Sequence, residues 1–225
     1  MSGGLSHRML RATYQTGIVI VTNFAIRQAT VVPLAAMIVP MLVGLALPRY
    51  SSVSQQMSEL EMYAPAADIT TRIAAIVSGT SIVLFGMGLL RIGFRQFVFT
   101  ALAAIVFGIS MVSNGIFTMG GPLHGLYGIG IFCVVAPAFF AAEFRDSARS
   151  RTIGTLSMAI AVFSLLYNWM MIVHFDPAGF QGLTQRIFAI VAFGWYSIAS
   201  YALLRSKVAE PTGEPQNVGA AYRAS

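Results

Sequence analysis

Apolar residues in this chain come in long runs broken by short polar turns, and the length of the runs decides the reading. About 20 consecutive apolar residues span a hydrocarbon core as an α-helix. Six runs approach that length, at about Thr30 to Leu47, Ile73 to Leu90, Phe97 to Phe117, Leu123 to Ala142, Thr152 to Val173 and Ile187 to Leu204. The pattern predicts an all-α integral membrane bundle of six transmembrane helices. Pro40 and Pro137 fall inside the first and fourth runs and predict kinks that neighbouring helices must accommodate. The domain organisation that follows is a cytoplasmic N-terminal segment over 1–29, a transmembrane domain over 30–205 and a disordered cytoplasmic tail over 206–225. Within the first segment, Met9 to Gln28 reads as an interfacial helix or as an extension of the first span. A cleaved signal is disfavoured there: the apolar stretch Gly17 to Ile26 is short and runs into Arg27 and Gln28, not into small residues.

Composition supports the membrane reading. The chain is 56% hydrophobic with only 10% charged residues, too little charge to cover a soluble domain of 225 residues. Its net charge of +6 would suggest nucleic acid in a soluble protein. Here the basic residues cluster in turns, so no nucleic-acid partner is expected and the charge reports orientation. Arg8, Arg11, Arg27, Arg91, Arg95, Arg145, Arg149, Arg151, Arg205, Lys207 and Arg223 fall on one side; Arg49, Arg72 and Arg186 fall on the other. Eleven against three places both termini in the cytoplasm, in a bacterial inner membrane, with the loops after spans one, three and five facing outward. The single Cys133 excludes an intrachain disulfide and a cysteine metal cluster.

The unusual polar residues gather on the outward side. Ser110 and Asn114 on span three, and Ser164 and Asn168 on span five, are four apart and share a helix face. Span four opens with His124, followed by Gly125, Tyr127 and Gly128, after a turn over Gly120, Gly121 and Pro122. The loop from Pro48 to Arg72 carries Ser58, Glu59, Glu61 and Asp68 among apolar residues, and reads as a surface helix or a cap over an outer cavity. These residues suggest a ligand-binding pocket of Ser58, Glu59, Asp68, Asn114, His124, Asn168, His174 and Arg186. The bland alternative is that serines and asparagines only join helices, at well under ~2 kcal/mol each. His7 lies in the N-terminal segment and reads as a surface residue. Catalytic candidates are His124, Ser58 and Glu59, though no nucleophile-elbow motif surrounds Ser58. His124, His174 and Asp176 are the residue types of a facial metal site, but they come from separate loops, so no metal and no cofactor is expected. Arg186 sits where positive residues are scarce, which predicts a carboxylate partner such as Glu59, with His124 nearby.

Three short motifs carry a resemblance. Tyr50 precedes Ser58, Glu59 and Leu60 in the first outer loop; His124 and Gly125 open span four; Gly182, Leu183, Gln185 and Arg186 open span six with Trp195 beyond. Together they resemble the six-span membrane proteins of the domain of unknown function 998 family, from about Thr30 to Arg205. More remotely, the S-E loop is similar to that of the Frag1/DRAM/Sfk1 group, some members of which are linked to lipid-anchor remodelling. The acidic residue that often follows a G-x-F segment in the family, before the H-G pair, is missing here, since Gly115 and Phe117 lead into Thr118 and Met119. The resemblance supplies no reaction. The functional expectation is a multi-pass protein whose partners are membrane lipids and whose outward pocket takes a lipid or amphipathic small molecule. A membrane-embedded enzyme acting on a lipid headgroup is the alternative, and a small-molecule transporter the third.

Overall fold

The computed structural model describes residues 19–93, 95–145, 150–175, 177 and 179–209, without the side chains at 125, 127, 128 and 207–209. His7, Asp176, residues 1–18 and the tail beyond 209 lie outside the described residues. Among these, five helices are long and apolar enough to cross a bilayer. They are α1 (Val19–Ala46), α2 (Pro65–Gly93), α3 (Val98–Ile116), α5 (Ser150–Ile172) and α6 (Gln181–Ala209). The shorter α4 (Phe132–Glu143) follows a 3₁₀ segment, His124–Ile131. The helices run up and down in sequence, each beside its chain neighbours, and α6 returns to pack against α1.

Every long helix turns large apolar residues outward: Leu42, Leu45, Ile69, Phe99, Leu166 and Trp169 are each more than half exposed, and Ile190 on α6 is 48% exposed. Ser78, Ser81, Thr100, Ser110, Ser157, Ser164 and Ser200 are instead buried inside. Small and polar inside with large and apolar outside is the arrangement a bilayer stabilises, because lipid covers the apolar faces and interior hydroxyls find helix partners. The chain is a helical membrane protein.

Close backbone packing fixes α2 against α3. A Cβ added at Gly79 would lie 2.5 Å from the Gly108 carbonyl oxygen, and one added at Gly108 would lie 2.7 Å from that of Gly79. Gly86 and Gly115 repeat the contact two turns along, at 2.8 Å from the Ala101 oxygen and 2.5 Å from the Arg72 oxygen. In α1, Gln28–Thr30 form a 3₁₀ turn ahead of Pro33, which has no N–H to give Ala29. Gln28 ties that turn to α2, donating to the Ser81 carbonyl at 2.9 Å and accepting from its hydroxyl.

Glu143 closes the opposite corner. Helix α3 has no capping side chain of its own, and the Glu143 carboxylate at the end of α4 accepts from the amides of Phe99 and Thr100, both at 3.0 Å, and from the Thr100 hydroxyl at 2.5 Å. A carboxylate on the first-turn amides of a helix satisfies orphan donors and meets the positive end of its dipole. Glu143→Ala is expected to destabilise the bundle by about 2 kcal/mol. The check is the thermal unfolding midpoint in detergent, with Glu143→Gln losing less because one acceptor oxygen remains. An unchanged midpoint for the alanine variant would show that water caps α3 equally well.

An aromatic cluster fills the half of the bundle nearer the basic turns. Trp195 and Tyr196 of α6 meet Phe85 edge-on at 6.2 and 5.5 Å, and Trp195 meets Phe140 at 5.7 Å. The indole of Trp195 donates to the Ser157 hydroxyl at 3.1 Å. All four rings are essentially buried. The other half is not closed in this way, and the candidate residues Ser58, Asn114, His124 and Asn168 gather there.

Candidate functional site

The rim opposite the basic turns is covered by the segment between α1 and α2, here called the strap, and Tyr50 holds it down. The Tyr50 ring lies over Gly44 of α1, where an added Cβ would come within 2.8 Å of the ring, and meets Tyr63 edge-on at 5.2 Å. Its hydroxyl donates to the Gln56 carbonyl at 2.9 Å and accepts from Arg186 Nη2 at 2.5 Å. Burial raises the Tyr50 pKa, outweighing the hydrogen bond and charge of Arg186 that lower it, so the phenol stays protonated and serves Arg186 as a neutral acceptor.

Four consecutive features of α6 receive the strap. Gly182 lets the strap backbone approach, since a Cβ there would fall 2.1 Å from the Gln55 oxygen. The Leu183 amide donates to the Val53 carbonyl at 2.9 Å. Gln185 Oε1 accepts from the Met57 amide at 2.7 Å. Arg186 Nη1 donates to the Gln55 and Gly182 carbonyls at 2.9 and 2.7 Å, and its guanidinium carbon lies 5.6 Å from the Tyr50 ring centre. The G-L-x-x-R motif is therefore the docking edge for the strap. The strap then turns as a 3₁₀ helix, Met57–Met62, closed by a capping box in which Glu59 accepts from the Gln56 amide at 2.9 Å.

Under the strap lies a cavity of about 440 Å³, within the roughly 300–1,000 Å³ range of small-molecule sites. Its mouth is polar, with Ser58, Asn114, His124, Asn168 and Gln185; its body is apolar, with Met37, Met111, Phe107, Phe188 and Phe193. Phe193 lies twelve residues beyond Gln181, the start of α6. At 1.5 Å per residue that is about 18 Å, and half a hydrocarbon core is about 15 Å. The cavity thus runs from the rim to near the midplane, where Phe107 and Phe193, 5.7 Å apart, floor it above the aromatic cluster.

His124 Nδ1 lies 2.9 Å from the Phe117 carbonyl oxygen. A carbonyl only accepts, so this bond puts a proton on Nδ1 and, in the neutral ring, leaves Nε2 as an acceptor. Glu61, also on the cavity wall, accepts from the Met119 amide at 2.8 Å and ties the strap to the turn before His124. Asn168 Nδ2 donates to the Ser164 carbonyl at 2.8 Å, and its side chain also meets the Cys133 thiol. The 3₁₀ segment of His124 and Gly130 is irregular backbone at membrane depth, with Leu126 at φ 41°. Such backbone is tolerated where it lines a cavity instead of facing lipid.

Of the residues singled out from sequence, Ser58, Asn114, His124 and Asn168 line this cavity, while Glu59, Asp68, His174 and Arg186 do not. Each of the four others has a local task. Glu59 serves the capping box. Asp68 pairs at 3.8 Å with Arg72, which donates to the Gly115 and Ile116 carbonyls at the end of α3. His174, at φ 54°, ends α5, with the Phe175 amide bonded to the Met170 carbonyl and the His174 amide to that of Met171. Arg186 takes the Tyr50 hydroxyl and main-chain carbonyls as partners in place of Glu59. Among the described residues no group of three His, Cys, Asp or Glu is placed to hold a metal. Gln185, Glu61 and Cys133 also line the cavity: Gln185 stands inside the G-L-x-x-R motif and Glu61 in the loop that reads as a cap over an outer cavity, while nothing in the sequence marks Cys133.

A helical membrane bundle with a strap-covered, amphipathic cavity at one rim is the class this geometry defines. The chain matches the family described as protein of unknown function (DUF998) over residues 30–202, and it belongs to that family. No curated protein and no solved structure matches it.

Proposed function

We propose that the protein holds a lipid or similar amphipathic molecule in the rim cavity, with the rim facing away from the cytoplasm and both termini inside. The polarity gradient of that cavity carries the reading. A headgroup would meet Ser58, Asn114, His124 and Asn168 at the mouth, and an acyl portion would lie against the methionines and phenylalanines below. Methionine suits such a role because its flexible thioether adapts to tails of varied shape. The distribution of basic residues, eleven against three, supports the orientation.

Cys133, the only cysteine, lines the cavity, which makes its labelling a readout for an occupant. Adding lysophosphatidylethanolamine to delipidated protein is expected to slow maleimide labelling of Cys133, and His124→Ala is expected to keep its thermal midpoint while losing that protection. Mass spectrometry of gently purified protein should find a bound amphiphile in the wild type and much less in His124→Ala. Labelling indifferent to the lipid, together with no retained amphiphile, would remove the reading.

A second reading, acid–base chemistry on a lipid headgroup, rests on His124 Nε2 and on Ser58 in the same cavity. Accumulation of a cleaved or transferred headgroup product, lost in Ser58→Ala and His124→Ala, separates it from simple binding. Transport through the bundle has less support, because the buried aromatic cluster lies directly beneath the cavity.

A further inference from the structure

We infer that the groove between α4 and α5, at the basic end of the bundle, is a binding site for an anionic phospholipid. This groove is separate from the rim cavity and lies at the opposite end. It is an open groove of about 900 Å³ that runs along α5 from Arg151 to Leu166, with Ala141 and Ala142 of α4 on its other wall. Fifteen residues of helix rise about 22 Å, more than the roughly 15 Å of hydrocarbon in one leaflet, so an acyl chain fits lengthwise. The groove exists because these two helices do not close backbone to backbone as α2 and α3 do. A Cβ added at Gly154 would meet nothing nearer than the Ala141 main chain, 3.5 Å from its oxygen. Met158 and Val162 on the wall are 45% and 49% exposed.

Polarity is confined to one end of the groove, where Arg145 and Arg151 stand with Ser150 and Thr155. Arg145 Nε donates to the Ala142 carbonyl at 2.5 Å, which folds the guanidinium back over the end of α4. Neither arginine has a carboxylate to neutralise it among the described residues, where the ion pair is that of Arg72 and Asp68 at the far rim. Glu143, the nearest described acid in sequence, already gives both oxygens to the amides of α3. A cationic head on an apolar channel at membrane depth matches a phosphodiester headgroup with its chain, since arginine binds phosphate through paired N–H donors and basic interhelical pockets of this kind take anionic lipid heads. A second copy of the chain is a poorer occupant. Twofold association about the membrane normal would bring both copies' arginines to one level, like charge beside like.

The test uses the full chain in mild detergent, with dioleoylphosphatidylglycerol and dioleoylphosphatidylcholine as the two probes, read by native mass spectrometry and by the thermal midpoint. Wild type should retain the anionic lipid over the zwitterionic one and gain thermal stability from it. At roughly fivefold per arginine, the double variant Arg145→Gln/Arg151→Gln should bind the anionic lipid about twenty- to thirtyfold more weakly. Arg91→Gln/Arg95→Gln, at the same end but outside the groove, should bind it like the wild type. Gly154→Leu fills the channel without touching its charge and should also lose the lipid; if that variant does not fold, Ala159→Leu on the exposed wall makes the same test. Equal retention of the two lipids, equal losses in the two arginine pairs, full retention in the filled groove, or a second copy of the chain seated there would each overturn the assignment.

Discussion

Gly108→Leu is expected to leave little folded protein. The Cβ alone would sit 2.7 Å from the Gly79 oxygen and 2.9 Å from the Val83 amide nitrogen, both main-chain atoms that no rotamer change can move. Relief requires α2 and α3 to separate, which would also pull Gly115 from Arg72 and Gly86 from Ala101. Helix association in lipid draws on packing and hydrogen bonds more than on the hydrophobic effect, so parting the two helices along this whole seam has no compensating term. The measurement is the monodisperse fraction after detergent extraction, expected to fall severalfold. Gly121→Leu is the control, since a Cβ there would meet the Thr118 oxygen at 3.1 Å and the Phe117 Cβ at 4.0 Å, both within its own turn and neither on another helix. Wild-type yield and midpoint in Gly108→Leu would mean that the α2–α3 seam can open without loss of the fold.

Arg186→Gln is expected to release the strap. The guanidinium is buried, and it satisfies the Gln55 and Gly182 carbonyls together with the Tyr50 hydroxyl. Removing a buried charged donor strands these acceptors, and a loss of about 3 kcal/mol is the expected scale. Arg186→Lys should rescue little, because an ammonium cannot reproduce the planar fork. Tyr50→Phe keeps the ring over Gly44 but leaves one arm of the buried guanidinium without its acceptor, and should lose about 2 kcal/mol. Limited proteolysis within 50–63 reads the release directly, and faster Cys133 labelling should accompany it because the strap roofs the cavity. If Arg186→Gln resists protease like the wild type, the bonds from the Leu183 amide to Val53 and from the Met57 amide to Gln185 hold the strap by themselves.

Both variants probe packing that the sequence displayed without explaining. Gly79 and Gly86 are seven residues apart, as are Gly108 and Gly115, a spacing that puts each pair on one helix face. The glycines that stand out in the sequence are those near the span-four turn, Gly121 and Gly125, and not the four of this seam. The Tyr50 and Arg186 motifs were visible as family-like strings, yet their joint meaning was not. A buried arginine suggests a carboxylate, because charge attracts charge. Here Glu59 is held in its own capping box, and the phenol of Tyr50 lies within reach of the guanidinium.

Run length and the scarcity of charge determined, from sequence alone, that this is an all-helical membrane protein and roughly where its helices lie, since hydrocarbon admits little else. The fixed periodicity of a helix likewise put Ser110 beside Asn114 and Ser164 beside Asn168, and both asparagines do reach the cavity. The inward face of each helix was only faintly marked, because a few small hydroxyl residues such as Ser78, Ser157 and Ser200 stand among apolar ones all round. Between α2 and α3, close approach of glycine to backbone selected that face. Partner choice at the rim was hidden for a related reason. Met57 and Gln185 are 128 residues apart and Tyr50 and Arg186 are 136 apart, so which donor meets which acceptor was decided when α6 closed the ring beside α1 and brought the strap over its first turn.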